Sequence, residues 1–169
     1  RGKFCFERKT NYVGLMNDDY SFLEGVIKGA DGSEIAEADF GEHLKRVILP
    51  YSNAAAFEFA GEEFLTGALA RMNVNRDCLN VKTSGDVEKY LGVFPSDNVF
   101  DNNLAQAIEM LNIVDTSIEM LGVPIRKEGL VDVVPKKSTG VGVMEAPRGT
   151  LYYRLDLDDK GVVTFADLC

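Results

Sequence analysis

The feature that most constrains this chain is the stretch GVGVMEAPRGTLYYRL at 140–155, in which two strand-like runs flank a rigid corner. Residues 140–143 are apolar and include two glycines, which is typical of a strand that other backbone approaches closely. Pro147 fixes its own φ angle and favours an extended residue before it, and Gly149 adopts backbone angles that other residues reach only at a cost. The pattern therefore predicts that Arg148 lies on a rigid, irregular corner between two strands.

Arg148 is the candidate functional residue of this corner. A guanidinium held in this way offers several fixed donors and keeps its charge, which suits a small anionic or polarised ligand. The alternative is an arginine that ties down a loop carbonyl or a carboxylate. The residues alone leave both interpretations open.

The residues after the corner alternate with a period of two, as in a strand with one buried face. The apolar members of this alternation are Leu151, Tyr153, Leu155 and Leu157. A turn at 158–161 and a return strand over 162–165 follow. With the elements described next, this predicts an α+β fold of antiparallel strand pairs with a few packed helices, in a single domain over 1–169.

The strongest helix signal covers about 102–121, where apolar residues recur at steps of three and four. Gly122 and Pro124 end this helix, and Asn103 with Gln106 is expected to cap its start. We expect the apolar stripe to pack into the core. Its members are Leu104, Ala107, Ile108, Leu111, Val114, Ile118 and Leu121.

Weaker local patterns occur in the first hundred residues. A hydroxyl and a carboxylate three residues apart suggest a capping box at 83–86, within a stretch at 74–100 that otherwise reads mostly as loop. The predicted elements are strands around Phe4, Phe6 and 12–15, a hairpin turn at 30–32, a helix over 37–48 that Pro50 ends, a hairpin of 57–59 with 64–65, and a short helix starting at 83–86.

Composition excludes several classes of function. Hydrophobic residues make up 46% and charged residues 27% of the chain, which is average for a globular protein. The net charge of −9, with only isolated cationic pairs such as Lys136–Lys137 and Arg126–Lys127, argues against nucleic-acid binding. No apolar stretch reaches the ~20 residues needed for a membrane span. Three scattered cysteines fit a reducing cytosol better than a disulfide framework.

Other candidate motifs have simpler explanations. The segment from Asp156 to Asp167 mimics part of a calcium loop, but Lys160 stands at a ligand position, so a solvated hairpin turn explains it better. His43 has no second histidine or nucleophile nearby, and neither Ser52 nor Ser138 has a visible base partner. The spacing of Gly140 and Gly142 fits no phosphate-binding loop. For Arg71 a structural ion pair is the default interpretation.

The block EAPRGTL resembles a signature of the nickel–iron hydrogenase large (alpha) subunit, in which an Ala-Pro-Arg-Gly corner lies beside the bimetallic centre. Further blocks look like the middle of the cytoplasmic, multi-subunit branch of that family, and the similarity runs in order over most of 10–166. The related subunit of respiratory complex I is expected to have Lys in place of Arg148 and an acidic residue in place of Thr150. The further blocks are PYS with FEF at 50–59, GALARMN at 67–73 and NNLAQAIE at 102–109.

The resemblance implies a hydrogenase large-subunit fold and a specific role for the corner. In the family its arginine overhangs the nickel–iron centre, helps to surround the diatomic ligands on iron and can assist heterolytic cleavage of dihydrogen. Carried to this chain, Arg148 lines the active site and Pro147 positions it. The family often places a histidine where Tyr153 stands. An iron–sulfur small subunit, further electron-transfer subunits and a cytoplasmic location are also implied.

The metal ligands that the resemblance implies are absent from these 169 residues. The family binds nickel and iron through two Cys-x-x-Cys motifs, whereas Cys5, Cys78 and Cys169 are far apart in the sequence. We therefore expect an internal fragment of a catalytic large subunit that binds no metal alone, is inactive alone and self-associates through exposed apolar surface. The alternative is a metal-free scaffold or assembly module with a hydrogenase-like fold.

Overall fold

The computed structural model describes residues 5–124, 129–130 and 132–169, and it confirms a mixed α+β fold. Phe4 and the Arg126–Lys127 pair lie outside the described residues. The strands are β1 (Asn11–Met16), β2 (Val26–Gly29), β3 (Glu34–Ala36), β4 (Leu44–Val47), β5 (Ala56–Phe59), β6 (Phe64–Leu65), β7 (Ser138–Ala146), β8 (Gly149–Leu157) and β9 (Val163–Leu168). The helices are α1 (Phe40–His43), α2 (Ala68–Asn75), α3 (Val81–Leu91) and α4 (Asn102–Leu121), with 3₁₀ turns at Glu37–Asp39, Arg76–Cys78 and Val99–Asp101.

Three sheets organise the described strands. The first has the order β3-β2-β1-β6, in which only the β1–β6 pair is parallel, the second pairs β4 with β5, and the third has the order β7-β8-β9. The hairpin turn expected at 30–32 joins β2 to β3, and the turn expected at 158–161 joins β8 to β9. Both predictions are confirmed because short turn signals there agree with the strands on either side.

Two predictions between residues 37 and 65 are wrong in their pairing. The helix expected over 37–48 ends at His43, and β4 follows and pairs with β5 in the register Leu44↔Phe59. The hairpin of 57–59 with 64–65 is reduced to one bridge between Phe59 and Glu62, because β6 pairs with β1. Partners distant in sequence decide these short segments, and local apolar spacing cannot reveal them.

The stretch at 74–100 contains more helix than expected. α3 begins at Val81, and the Asn80 side chain accepts a hydrogen bond from the backbone N–H of Lys82. The predicted capping box at 83–86 is therefore wrong. Thr83 lies inside the helix, fully buried, and its hydroxyl donates to Asp115 at 2.8 Å. Asn80 takes the capping role because it stands earlier and has the shorter route to a free amide.

The bounds of α4 are confirmed, but the helix is rotated relative to the expected stripe. Ile108 is buried, whereas Val114, Ile118 and Leu121 are largely exposed. The inward face carries the polar residues Glu109, Asn112 and Asp115. Asn103 and Gln106 form no cap, because a 3₁₀ turn capped by Asn98 precedes the helix. The rotation follows from the partners of the buried carboxylates, since an unpaired buried charge is costly.

β1 lies between two hydrophobic clusters of the described core. Tyr12 belongs to a cluster around α2, α3 and α4, whereas Val13 and Leu15 pack with Phe40, Phe59 and Tyr152. On β8 the buried residue is Tyr152, so the expected apolar face with Leu155 and Tyr153 is exposed, which corrects the predicted orientation of this strand. Phe6 is exposed and lies outside any strand.

Candidate functional site

The Ala-Pro-Arg-Gly corner is a tight turn between β7 and β8. The strands pair up to Ala146↔Gly149, which leaves Pro147 and Arg148 as the two turn residues. Both are exposed. Among the described residues, the Arg148 guanidinium has neither a hydrogen-bond acceptor nor a carboxylate partner. The predicted corner between two strands is therefore confirmed, and its arginine does not tie down any described group.

The backbone of the turn packs closely against the loop that begins α2. A Cβ at Gly67, which has a φ of +97°, would lie 3.2 Å from the carbonyl oxygen of Arg148. A Cβ at Gly149 would lie 2.7 Å from Oγ1 of Thr66. The two glycines permit this approach because neither carries a side chain. The backbone of Arg148 is thus held while its side chain faces solvent.

Arg71 lies beneath the turn and uses all of its donors. It is 1% exposed. Nε and Nη2 donate to the two oxygens of Glu109 at 2.6 and 2.8 Å, and Nη1 donates to Glu145 at 2.8 Å. Nη1 and Nη2 also donate to the carbonyl oxygens of Ala146 and Pro147 at 2.9 and 3.3 Å. These five bonds match the five N–H groups of a guanidinium, and they confirm the structural ion pair expected for Arg71.

Further donors complete the coordination of the two carboxylates. The Tyr20 hydroxyl donates to Glu109 at 2.9 Å. Glu145 accepts from the Leu15 backbone N–H at 2.8 Å and from the Thr150 hydroxyl at 3.1 Å. Such bonds satisfy ionised oxygens that burial has removed from water.

The charges of this cluster shift the pKa of its members. Burial raises the pKa of Tyr20 well above its usual value, and the adjacent Glu109 raises it further. Burial opposes the ionisation of Arg71, but Glu109 and Glu145 outweigh it and raise the pKa of the guanidinium. The cation also lies 4.7 Å from the centre of the Phe22 ring, a favourable cation–π distance.

The comparisons with known proteins agree with the blocks noted in the sequence. The alpha subunit of sulfhydrogenase 1 of Pyrococcus furiosus is 31% identical over 161 residues, which cover 92% of this chain and 37% of that protein. A vhu F420-non-reducing hydrogenase subunit of Methanococcus voltae is 30% identical and is covered to 41%. The chain belongs to the nickel–iron hydrogenase large-subunit family. No protein-family model matches it.

Solved structures support the hydrogenase large-subunit fold. An NAD⁺-reducing [NiFe]-hydrogenase in the H₂-reduced state matches with a TM-score of 0.69 at 21% identity, over 96% of this chain and 40% of that chain. A [NiFeSe]-hydrogenase of Dm. baculatum matches with a TM-score of 0.58 at 19% identity. The chain thus spans about two fifths of the length of these hydrogenase relatives.

The described part of this hydrogenase relative lacks a ligand set for the metals. No group of three or more His, Cys, Asp and Glu side chains in the described ranges could hold a metal ion. Cys5, Cys78 and Cys169 are free thiols, and burial raises the pKa of Cys78 and Cys169, which disfavours the thiolate that a metal needs. These residues do not fit a nickel–iron centre as ligands.

Reasoning from the residues missed two members of the site, Glu109 and Glu145. Glu109 interrupts the apolar spacing of α4, and Glu145 interrupts the apolar run of β7. A lone carboxylate on a face expected to be buried signals a buried cation nearby. That signal was present in the sequence, but its partner Arg71 could be identified only in three dimensions.

Proposed function

We propose that this chain is the part of a nickel–iron hydrogenase large subunit that presents Arg148 to the metal centre. The observation that carries the proposal is an exposed guanidinium without a described partner, on a turn whose backbone is held by α2 and by Arg71. Arg148 would line the active site, and Pro147 would restrict the turn that carries it. The full-length protein would interconvert dihydrogen with protons and electrons.

Within this function, the chain supplies a fixed positive charge rather than metal ligands. Splitting dihydrogen requires a metal that polarises the H–H bond, and the ligands of that metal are not among these 169 residues. An arginine next to the reacting atoms provides directed donors that stay charged at any working pH. The ligands would come from further segments of the complete large subunit.

The proposed partners are further electron-transfer subunits and an iron–sulfur small subunit that accepts the electrons. The proposed location is the cytoplasm, which the scattered free cysteines support. None of the helices in the described part is long and apolar enough to cross a membrane.

The test is an Arg148→Lys substitution in the complete protein, produced with its small subunit. The variant should retain the nickel content of the unmodified enzyme, while hydrogen-dependent dye reduction falls by about 10²–10³-fold. The matched control is Arg46→Lys, an exposed arginine on β4, which should leave both quantities unchanged. Unchanged dye reduction in Arg148→Lys would contradict the proposed role of Arg148.

A second candidate is a metal-free scaffold or assembly module that has kept the hydrogenase fold. It is favoured by the lack of paired cysteines in the sequence and by Tyr153 in place of a histidine. The reading frame around this sequence distinguishes the two candidates. Cys-x-x-Cys motifs in the complete protein, or a neighbouring gene for a large-subunit maturation protease, would argue against the scaffold.

For residues 1–169 as an isolated polypeptide, we propose no specific nickel binding, no hydrogen-dependent activity and self-association. Exposed apolar side chains occur on α4, at Ile118 and Leu121, and on β9, at Phe165 and Leu168, and such surfaces promote association. Elemental analysis and light scattering provide the measurements. Stoichiometric nickel or a strictly monomeric polypeptide would contradict the respective half.

A further inference from the structure

The turn that carries Arg148 is bonded from below by a single side chain. Arg71 donates to the carbonyl oxygens of Ala146 and Pro147, the two residues that immediately precede Arg148. We propose that Arg71 is a positioning residue, which sets the direction in which the turn presents the Arg148 guanidinium. This inference rests on the proposed function of Arg148.

Arg71 is itself held by three separate elements. It belongs to α2, its bidentate partner Glu109 belongs to α4, and its second partner Glu145 belongs to β7. The planar guanidinium bonded on two edges cannot rotate without breaking charge-assisted hydrogen bonds. Any motion of the turn relative to the α2–α4 pair therefore breaks bonds to Arg71.

The local sequence does not select this turn by itself. The two-residue turns favoured in hairpins are types I′ and II′, which need a positive φ at the first turn residue. That residue is Pro147, whose ring restricts φ to negative values. The two carbonyl bonds to Arg71 and the close approach at Gly67 supply restraints that the turn residues lack.

The first test is Arg71→Lys in the complete protein with its small subunit. Lysine keeps the charge, but its one nitrogen cannot serve two carboxylates and two carbonyls in this planar arrangement. We expect unchanged nickel content, faster amide exchange at 146–149 and a roughly 10–100-fold loss of hydrogen-dependent dye reduction. The control Arg76→Lys removes an arginine that pairs only with Asp77 and should change none of these.

A double-mutant cycle separates positioning from a general structural role. If Arg71 acts through Arg148, adding Arg71→Lys to the Arg148→Lys variant should lower the remaining activity by less than about twofold. The same fold loss in both backgrounds, or unchanged amide exchange at 146–149, would overturn the inference.

A second variant keeps the test decisive if Arg71→Lys does not assemble. Gly149→Ala places a Cβ 2.7 Å from Oγ1 of Thr66 and displaces the same turn with Arg71 intact, whereas at Gly142 a Cβ meets nothing within 4 Å. Gly149→Ala should lower activity only when Arg148 is present, and Gly142→Ala should have no effect. Full activity of Gly149→Ala would overturn the inference.

Failure of the proposed function gives a different result. The unmodified complete protein would then contain no nickel and reduce no dye with hydrogen. Amide exchange at 146–149 in Arg71→Lys would still decide whether Arg71 holds the turn: faster exchange there, with protection of α4 retained, supports it, and unchanged exchange overturns it.

Discussion

The two arginines at the β7–β8 turn lie close together but have opposite environments. Arg71 is buried and all of its donors have partners, whereas Arg148 is exposed and has no described partner. A buried arginine with every donor used stabilises structure, because breaking any bond leaves an uncompensated polar group. An exposed arginine on a restrained backbone costs nothing to leave unpaired and remains available to a ligand.

This comparison predicts a large stability cost for the buried arginine. Arg71→Ala leaves Glu109 and Glu145 buried without their cation, and it should lower the free energy of unfolding by about 3–5 kcal/mol. Denaturant unfolding measures this change. Arg76→Ala, in the next turn of chain, is the matched control and should have little effect. Similar values for the two variants would contradict the assigned role of the cluster.

Removal of one carboxylate should cost less. Glu145→Ala leaves the backbone N–H of Leu15 without its acceptor, and we expect a loss of about 2 kcal/mol. The cluster also loses one of its two negative charges, which limits the cost. Glu58, which is paired with Lys45 at the surface, provides the control through Glu58→Ala. A loss as large as that of Arg71→Ala would show that the two carboxylates act as one unit.

The Tyr20 hydroxyl gives the cluster a pH dependence. Because the folded pKa is raised above the usual 10.0, its contribution is complete below about pH 10 and is lost as pH rises through the raised pKa. Tyr20→Phe should cost about 1.5 kcal/mol at neutral pH and should reduce the fall in stability above pH 10. Tyr51→Phe, at an exposed position, is the control. An unchanged alkaline slope in Tyr20→Phe would contradict the assignment.

The smallest predicted effect on stability belongs to the exposed arginine. Arg148→Ala should change the free energy of unfolding by no more than about 0.5 kcal/mol, because its side chain has no described partner to lose. Thermal or denaturant unfolding of the variant measures this directly. A loss above about 1 kcal/mol, beyond the range usual for surface positions, would mean that Arg148 is structural and would remove the contrast between the two arginines.

Strong local signals predicted the elements that local energies determine. The bounds of α4 agree because a long apolar repeat ends at Gly122, and the turn at 30–32 agrees because its residues suit a hairpin. The predictions for 37–48 and 57–65 were wrong because β4, β5 and β6 are short, and their pairing depends on strands far away in sequence.

The site shows the same division. The corner itself could be predicted, since Pro147 and Gly149 constrain the backbone through their own covalent structure. The ion-pair network could not, because Arg71, Glu109 and Glu145 are 38 and 36 residues apart along the chain. Periodicity placed the apolar stripe of α4 in the core, but the cost of an unpaired charge turned the polar face inward.

The sequence by itself determined the family, the length of α4 and a rigid corner with Arg148 at its tip, because these depend on local residue order and covalent restraint. Only the tertiary structure decided that Arg148 is unpartnered among the described residues while Arg71 supports its turn. Side-chain partners depend on which segments meet in space, and the energy of a buried charge is defined only once its surroundings are assembled.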